Sequence, residues 1–180
     1  MSIADNYRPQ FTYTDYCLWE GRWELIDGMP YAMSPSPVKG HQVIAGNLLF
    51  IFKKILDNFC KHCQVIMQLD WKINEKTDVQ PDLMIICNDF TTAFLEFPPS
   101  IVIEILSPST SYKDRHEKFE LYQEQQVKYY LIIDPDFNKI EIYELTENGY
   151  HPVAVSPGKF EFLLENKCPI SVEFDGVFGK

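Results

Sequence analysis

The chain has 180 residues and a formal net charge of −10, with 26 acidic against 16 basic side chains. This charge argues against a non-specific nucleic-acid binder, which needs Lys and Arg to neutralise phosphates, but a nuclease can gather its acidic residues around a cation. Hydrophobic residues make up 46% of the sequence, and no apolar run approaches the ~20 residues of a membrane helix. We therefore expect a folded, soluble protein that makes no use of a membrane.

The five cysteines are scattered along the chain. Their odd number favours reduced thiols over a disulfide framework, and the first residues lack the basic segment and apolar core of a secretory signal, so we expect a cytoplasmic protein. The run Cys60-Lys61-His62-Cys63 has the spacing of a zinc ligand pair. Because no second Cys or His pair follows at a suitable distance, the sequence predicts neither structural zinc nor redox chemistry here.

Hydrophobic periodicity and turn residues predict the elements in chain order. The first half begins with a short helix over 11–20, capped by Thr12 or Thr14, and a hairpin of strands 22–26 and 29–33 around Asp27-Gly28. A long helix from His41 to about Cys60, capped at Ser34 or Ser36, and a half-buried strand over 65–73 follow. The second half gives strands over 79–87 and 100–106, a helix over 113–126, a strand over 128–134 with its hairpin partner over 139–145, and two or three short strands in the tail.

This order predicts a mixed α+β fold of the α/β type, with a central mixed sheet flanked by helices and additional β-hairpins. The chain length suits a single domain over residues 1–180. We expect the aromatic side chains of Trp71, Tyr129, Tyr130 and Phe137 to lie in the core.

Two acidic residues interrupt apolar strand sequence: Asp82 in VQPDLMIIC and Glu104 in SIVIEIL. An isolated buried carboxylate costs several kcal/mol or more, so each must be paired, hydrogen-bonded or bound to a cation. Their separation of 104 − 82 = 22 residues is enough for one strand, a turn and the neighbouring strand. Two carboxylates and a backbone carbonyl, such as that of Ile105, are ligands suited to Mg²⁺ or Mn²⁺.

Lys118 follows Glu104 by 14 residues on a predicted helix that can fold back over the acidic strands. A lysine beside a metal-bound water is a combination that hydrolyses phosphodiesters. The alternatives are structural: Lys118 or Arg115 forms an ion pair with Glu104, or Lys118 is a solvated helix residue. His41 suits either the rim of such a site or a structural role, and Ser107 and Ser109 suit turns and caps.

The motifs WELIDG, SPSP, QPDL, IVIEILSPST, DRHEKFELY and YYLIIDP follow one another from Trp23 to Asp134. In this combination the chain resembles the bacterial Uma-two family, a branch of the restriction-endonuclease-like PD-(D/E)xK superfamily. The resemblance implies that fold, a divalent metal held by Asp82 and Glu104, and an active-site role for Lys118. It also implies that Glu24 is an additional or indirect ligand, and that Lys118 replaces the superfamily lysine expected where Leu106 stands.

We therefore predict a Mg²⁺- or Mn²⁺-dependent endonuclease acting on DNA, with Asp82, Glu104, Lys118 and Glu24 in its active site. The alternative is a catalytically inactive protein of the same fold that acts as a binding or assembly module, which the charge of −10 favours. Exposed edge strands and the aromatic-rich tail lead us to expect a homodimer.

Overall fold

The computed structural model describes residues 10–33, 38–156 and 158–179. These residues form two compact units. The first contains residues 10–33, 69–80 and 92–97, and the second contains the remaining described residues.

The first unit is a four-stranded sheet with one short helix. The strands are β1 (Trp23–Ile26), β2 (Met29–Ala32), β4 (Trp71–Asn74) and β5 (Thr77–Val79), in the order β2-β1-β5-β4, and the helix is α1 (Tyr13–Tyr16). Asp27 and Gly28 form the β1–β2 turn with φ of 50° and 75°, as the Asp-Gly dipeptide predicts. Thr12 caps α1 through a reciprocal bond with Asp15.

The second unit is built on a six-stranded mixed sheet in the order β10-β9-β8-β7-β6-β3, in which only β7 and β8 are parallel. Its strands are β3 (Gln64–Met67), β6 (Leu83–Ile86), β7 (Ile101–Ile105), β8 (Tyr129–Asp134), β9 (Lys139–Thr146) and β10 (Gly149–Val155). The helices are α2 (Lys39–Phe59), α3 (Ser111–Arg115) and α4 (Glu117–Glu124), and β11 (Lys159–Leu164) pairs with β12 (Cys168–Glu173) as a separate hairpin.

Strand β7 turns isoleucine side chains toward one face of this sheet and its acidic residue toward the other. On one face, Ile103 and Ile105 join an apolar cluster that includes Leu48 and Phe52 of α2. Because side chains alternate along a strand, Glu104 points to the opposite face, where Lys118 and Tyr122 of α4 meet it. The sequence-based expectation of a central mixed sheet with flanking helices and β-hairpins is thereby confirmed.

Three elements predicted as continuous are interrupted. Strand 65–73 is two strands, β3 and β4, because Gln68 adopts a φ of 48°. Strand 79–87 breaks between β5 and β6 at Pro81, which has no N–H for a ladder hydrogen bond. Helix 113–126 breaks at His116, with φ −126° and ψ −73°, into α3 and α4. Helix α2 begins after Val38, and the predicted caps Ser34 and Ser36 lie outside the described residues.

The predictions for the cysteines and for Phe137 were wrong. The structure pairs Cys60 with Cys168 and Cys63 with Cys87 as disulfides and leaves Cys17 as an exposed free thiol. Phe137 is 80% exposed on the turn between β8 and β9. Within the described ranges, no helix combines the length and the apolar composition that a membrane span requires. A single domain over 1–180 stays a prediction.

Candidate active site

Asp82 lies in the bend that leads into β6, and two contacts orient its carboxylate. Its Oδ2 accepts the backbone N–H of Ile105 at 2.8 Å and lies 3.0 Å from His41 Nε2. In the β6–β7 ladder Leu83 pairs with Ile103, so the antiparallel register, continued by one residue, sets Asp82 opposite Glu104. Both acids therefore belong to one end of one strand pair, as their spacing predicts.

Glu104 is only 3% exposed, and its Oε1 accepts two hydrogen bonds. Lys118 Nζ donates at 2.8 Å and Tyr122 OH donates at 2.7 Å, both from α4. Lys118 is itself 3% exposed, so the prediction that its helix folds back over the acidic strands is met in the geometry. A fully buried ion pair of this kind carries a large desolvation cost unless other groups complete it.

Asp114 and Tyr130 lie close to Lys118 and form a further group of polar side chains. Asp114 lies one helical turn earlier, and its Oδ1 is 3.8 Å from Lys118 Nζ. The backbone carbonyl of Asp114 accepts the Tyr130 hydroxyl at 2.9 Å. Burial raises the pKa of Tyr130 well above its ordinary value, and the negative charges of Glu104 and Asp114 raise it further. Asp114 was not among the site residues predicted from the sequence, although its i, i+4 spacing from Lys118 was a usable signal.

The backbone of Ile105 offers a third oxygen beside the two acids. The N–H and C=O of one strand residue point to the same side, and the Ile105 N–H points to Asp82. The register continued by two residues sets Pro81 opposite Ile105, and proline has no N–H to donate to that carbonyl. The donor set of Asp82, Glu104 and the Ile105 carbonyl is all oxygen, which fits Mg²⁺ or Mn²⁺.

Arg115 makes a different ion pair from the one considered for it in the sequence. Its guanidinium donates to Glu141 at 2.8 Å and 3.3 Å and contacts Asp134 at 3.4 Å. Ser107 bonds to Ser109 and Thr110 within the turn before α3. These contacts of Arg115, Ser107 and Ser109 are those of ion pairs and turns.

A family model described as "Uma2: Putative restriction endonuclease" matches residues 12–175. The chain belongs to this Uma-two family. An uncharacterized protein of Synechocystis sp. is 32% identical to this chain over 152 residues, which are 78% of this chain and 77% of the relative. The Uma-two assignment made from the motifs is therefore confirmed.

The fold has a counterpart among solved structures. A crystal structure of a protein from Anabaena variabilis, titled a putative nuclease, superposes with a TM-score of 0.69 over 88% of this chain and 91% of that one, at 15% identity. At this identity the likeness concerns the fold alone. The Uma-two chain thus has a nuclease-type fold, and enzymes of the restriction-endonuclease-like class generally use divalent metal ions.

Glu24, the remaining predicted site residue, lies on β1 in the first unit. Its side chain is fully buried, and its Oε1 accepts the backbone N–H of Gln80 at 3.0 Å. Gln80 is followed along the chain by Pro81 and Asp82. Glu24 therefore holds the backbone of Gln80 within the first unit. Its role as a ligand stays a prediction.

Proposed function

We propose that this chain is a divalent-metal-dependent endonuclease that hydrolyses phosphodiester bonds of DNA. The observation that carries the proposal is the pairing of Asp82 with the Ile105 amide beside the buried Glu104–Lys118 pair. Two carboxylates, one strand carbonyl and one ammonium on a nuclease-type fold can bind a divalent ion and support phosphodiester hydrolysis.

Asp82, Glu104 and the Ile105 carbonyl would hold the ion, with Mg²⁺ or Mn²⁺ as the expected species. When bound, such an ion polarises a phosphate and makes a coordinated water more acidic. His41, at 3.0 Å from Asp82 Oδ2, fixes the orientation of that carboxylate. Lys118 brings a positive charge to the Glu104 carboxylate, where it can orient a water or stabilise charge developing on a phosphate oxygen.

The net charge of −10 is compatible with a DNA substrate if a bound cation supplies positive charge at the site. A chain with few basic residues cannot hold a duplex through counterion release alone, so the cation must supply the positive charge that meets the phosphate. DNA association by this protein should therefore require the divalent ion, as cleavage does.

The test is cleavage of supercoiled and linear DNA at low salt with Mg²⁺ or Mn²⁺, using the parent and the variants Asp82→Asn, Glu104→Gln, Lys118→Met and Glu24→Gln. The expected result is metal-dependent nicking by the parent and a loss of about 100-fold or more in the first three variants. Two exposed residues provide matched controls: Asp136→Asn and Lys53→Met should retain the parental rate. Calorimetry should give Mg²⁺ binding to the parent that Asp82→Asn and Glu104→Gln abolish.

A second candidate is a non-catalytic binding module. The observation favouring it is that Lys118 and Tyr122 already give Glu104 two hydrogen bonds in a buried pair, as a purely structural ion pair would. Absence of cleavage and of DNA or RNA binding at low salt, together with no Mg²⁺ binding and tight self-association, would establish this role and exclude the nuclease.

A further inference from the structure

A second cluster of reactive side chains lies at the other end of β6. Cys63 directly precedes β3, and Cys87 directly follows β6. The antiparallel register of these two strands, continued by one residue, sets the two cysteines opposite each other, and their Cα atoms are 3.9 Å apart. His62 is the neighbour of Cys63 along the chain. The fold thus brings Cys87, which is distant in sequence, to Cys63 and its neighbour His62.

The three side chains bring their ligand atoms together. The sulfur atoms of Cys63 and Cys87 and a ring nitrogen of His62 all lie within 4.8 Å of one another. Across the described parts of the chain, no other group of three or more His, Cys, Asp or Glu residues meets this spacing. Cys63 and Cys87 are 6% and 5% exposed, whereas His62 is exposed. The cluster therefore has two buried sulfurs and one imidazole on the solvent side.

The donor types select a particular class of ion. Thiolate sulfur and imidazole nitrogen suit Zn²⁺ and similar borderline ions, whereas Mg²⁺ and Mn²⁺ prefer oxygen. We infer that His62, Cys63 and Cys87 form a Zn²⁺-binding site with three protein ligands and a fourth position open to solvent. This site is distinct from the Asp82–Glu104 arrangement, because residues 82 and 87 lie at opposite ends of β6, about 17 Å apart along an extended strand.

The site exists only in the reduced protein. In the structure Cys63 and Cys87 are joined as a disulfide, so neither sulfur is a thiolate. Exchange with two molecules of a small thiol gives two cysteine thiols and one small-molecule disulfide, and binding of Zn²⁺ then releases the two thiol protons. Oxidation and metal binding are therefore mutually exclusive, and the thiol–disulfide balance of the surroundings decides which state forms.

The test is titration of the reduced, metal-free protein with Co²⁺ without oxygen, followed by displacement with Zn²⁺. The expected result is one equivalent of Co²⁺ with a thiolate-to-metal charge-transfer absorption, which Zn²⁺ removes. His62→Ala changes an exposed residue and should weaken binding about tenfold or more without unfolding the protein. Cys63→Ser and Cys87→Ser should abolish the absorption, and the protein before reduction should not develop it.

Three controls isolate the site. Cys17→Ser removes the exposed free thiol and His151→Ala removes another exposed histidine, so both should bind Co²⁺ as the parent does. The double variant Asp82→Asn/Glu104→Gln should also keep the Co²⁺ signal, which makes this result independent of the proposed nuclease. Absence of the charge-transfer absorption in the reduced parent, or its persistence with unchanged affinity in His62→Ala, would overturn the inference.

Discussion

Asp78 is a buried acidic residue of the first unit whose charged form is unfavourable in its surroundings. Its side chain is 1% exposed, and its Oδ2 has no hydrogen-bond partner among the described residues. Burial, followed by the negative charges of Asp70 and Glu24, raises the pKa of Asp78 to about 7 against the opposing effect of Lys72. The folded protein therefore favours the neutral carboxyl at mildly acidic pH.

This pKa makes stability depend on pH in a defined direction. An unfolded Asp titrates near 3.9, so between about pH 4 and pH 7 the folded state binds more protons and loses stability as the pH rises. Asp78→Asn keeps the neutral shape and should remove this slope. We expect the variant to be more stable than the parent by about 1–3 kcal/mol at pH 8 and nearly equal at pH 4.

Urea denaturation of both proteins across this pH range measures the difference. Asp136→Asn, at an exposed site, is the control and should follow the parent at every pH. A constant difference between Asp78→Asn and the parent from pH 4 to pH 8 would show that Asp78 is ionised throughout and contradict the expectation.

At the scale of elements, the strand pair β6–β7 was the most predictable part of the candidate site. Apolar runs with one acid each predicted two buried strands, and antiparallel pairing brings Asp82 and Glu104 together. The interruptions were less predictable, since the positive φ of Gln68 and the non-helical backbone of His116 have no local sequence signal. They arise where the chain must change sheet or direction, which depends on tertiary packing.

A substitution in helix α4 tests whether Glu104 is a metal ligand or only the partner of a structural ion pair. Lys118→Met leaves the Glu104 carboxylate buried without its cation, so we expect a loss of about 3–5 kcal/mol in the free energy of unfolding in a metal-free buffer. If Glu104 is a metal ligand, Mg²⁺ takes over the role of the ammonium. The melting temperature of Lys118→Met should then rise more with Mg²⁺ than that of the parent.

Thermal unfolding with EDTA and with Mg²⁺ gives the comparison. Lys53→Met, at an exposed position of α2, should change stability by less than about 0.5 kcal/mol and respond to Mg²⁺ as the parent does. A Lys118→Met variant whose melting temperature is the same with and without Mg²⁺ would assign Lys118 and Glu104 to a structural pair.

At the scale of the whole molecule, the fold class followed from element order, whereas the cysteine pairing did not. The paired cysteines are 108 and 24 residues apart in sequence. The β3–β6 register brings Cys63 and Cys87 together, whereas Cys60 at the end of α2 meets Cys168 at the start of β12. The sequence has an odd number of cysteines, but this number does not show which cysteines lie close together in the fold. The same limit applies to Phe137, because hydrophobicity alone does not distinguish a core residue from one on an exposed turn.

The homodimer expected from the sequence has a candidate surface in the second unit. A groove of about 740 Å³ runs between α2 and the β11–β12 hairpin, with Phe50 and Phe59 exposed by 68% and 72% at its edge. Its lining carries charges of both signs: Lys54, Lys159, Glu161, Glu173 and Asp175. In a twofold-symmetric dimer the same surface patch of both subunits is in contact. A patch with apolar residues and charges of both signs can therefore be complementary to its own copy.

We therefore expect a dimer formed through this groove, which would present two sites to the two strands of a duplex. Phe50→Glu should shift the protein to monomer in sedimentation at micromolar concentration, because it places a charge in the apolar part of the contact. Phe137→Glu changes another exposed phenylalanine, outside the groove, and should leave the dimer intact. A parent that sediments as a monomer, or a dimer that Phe50→Glu does not weaken, would refute this interface. Loss of double-strand cleavage with retention of single-strand nicking in Phe50→Glu would connect the dimer to the proposed activity.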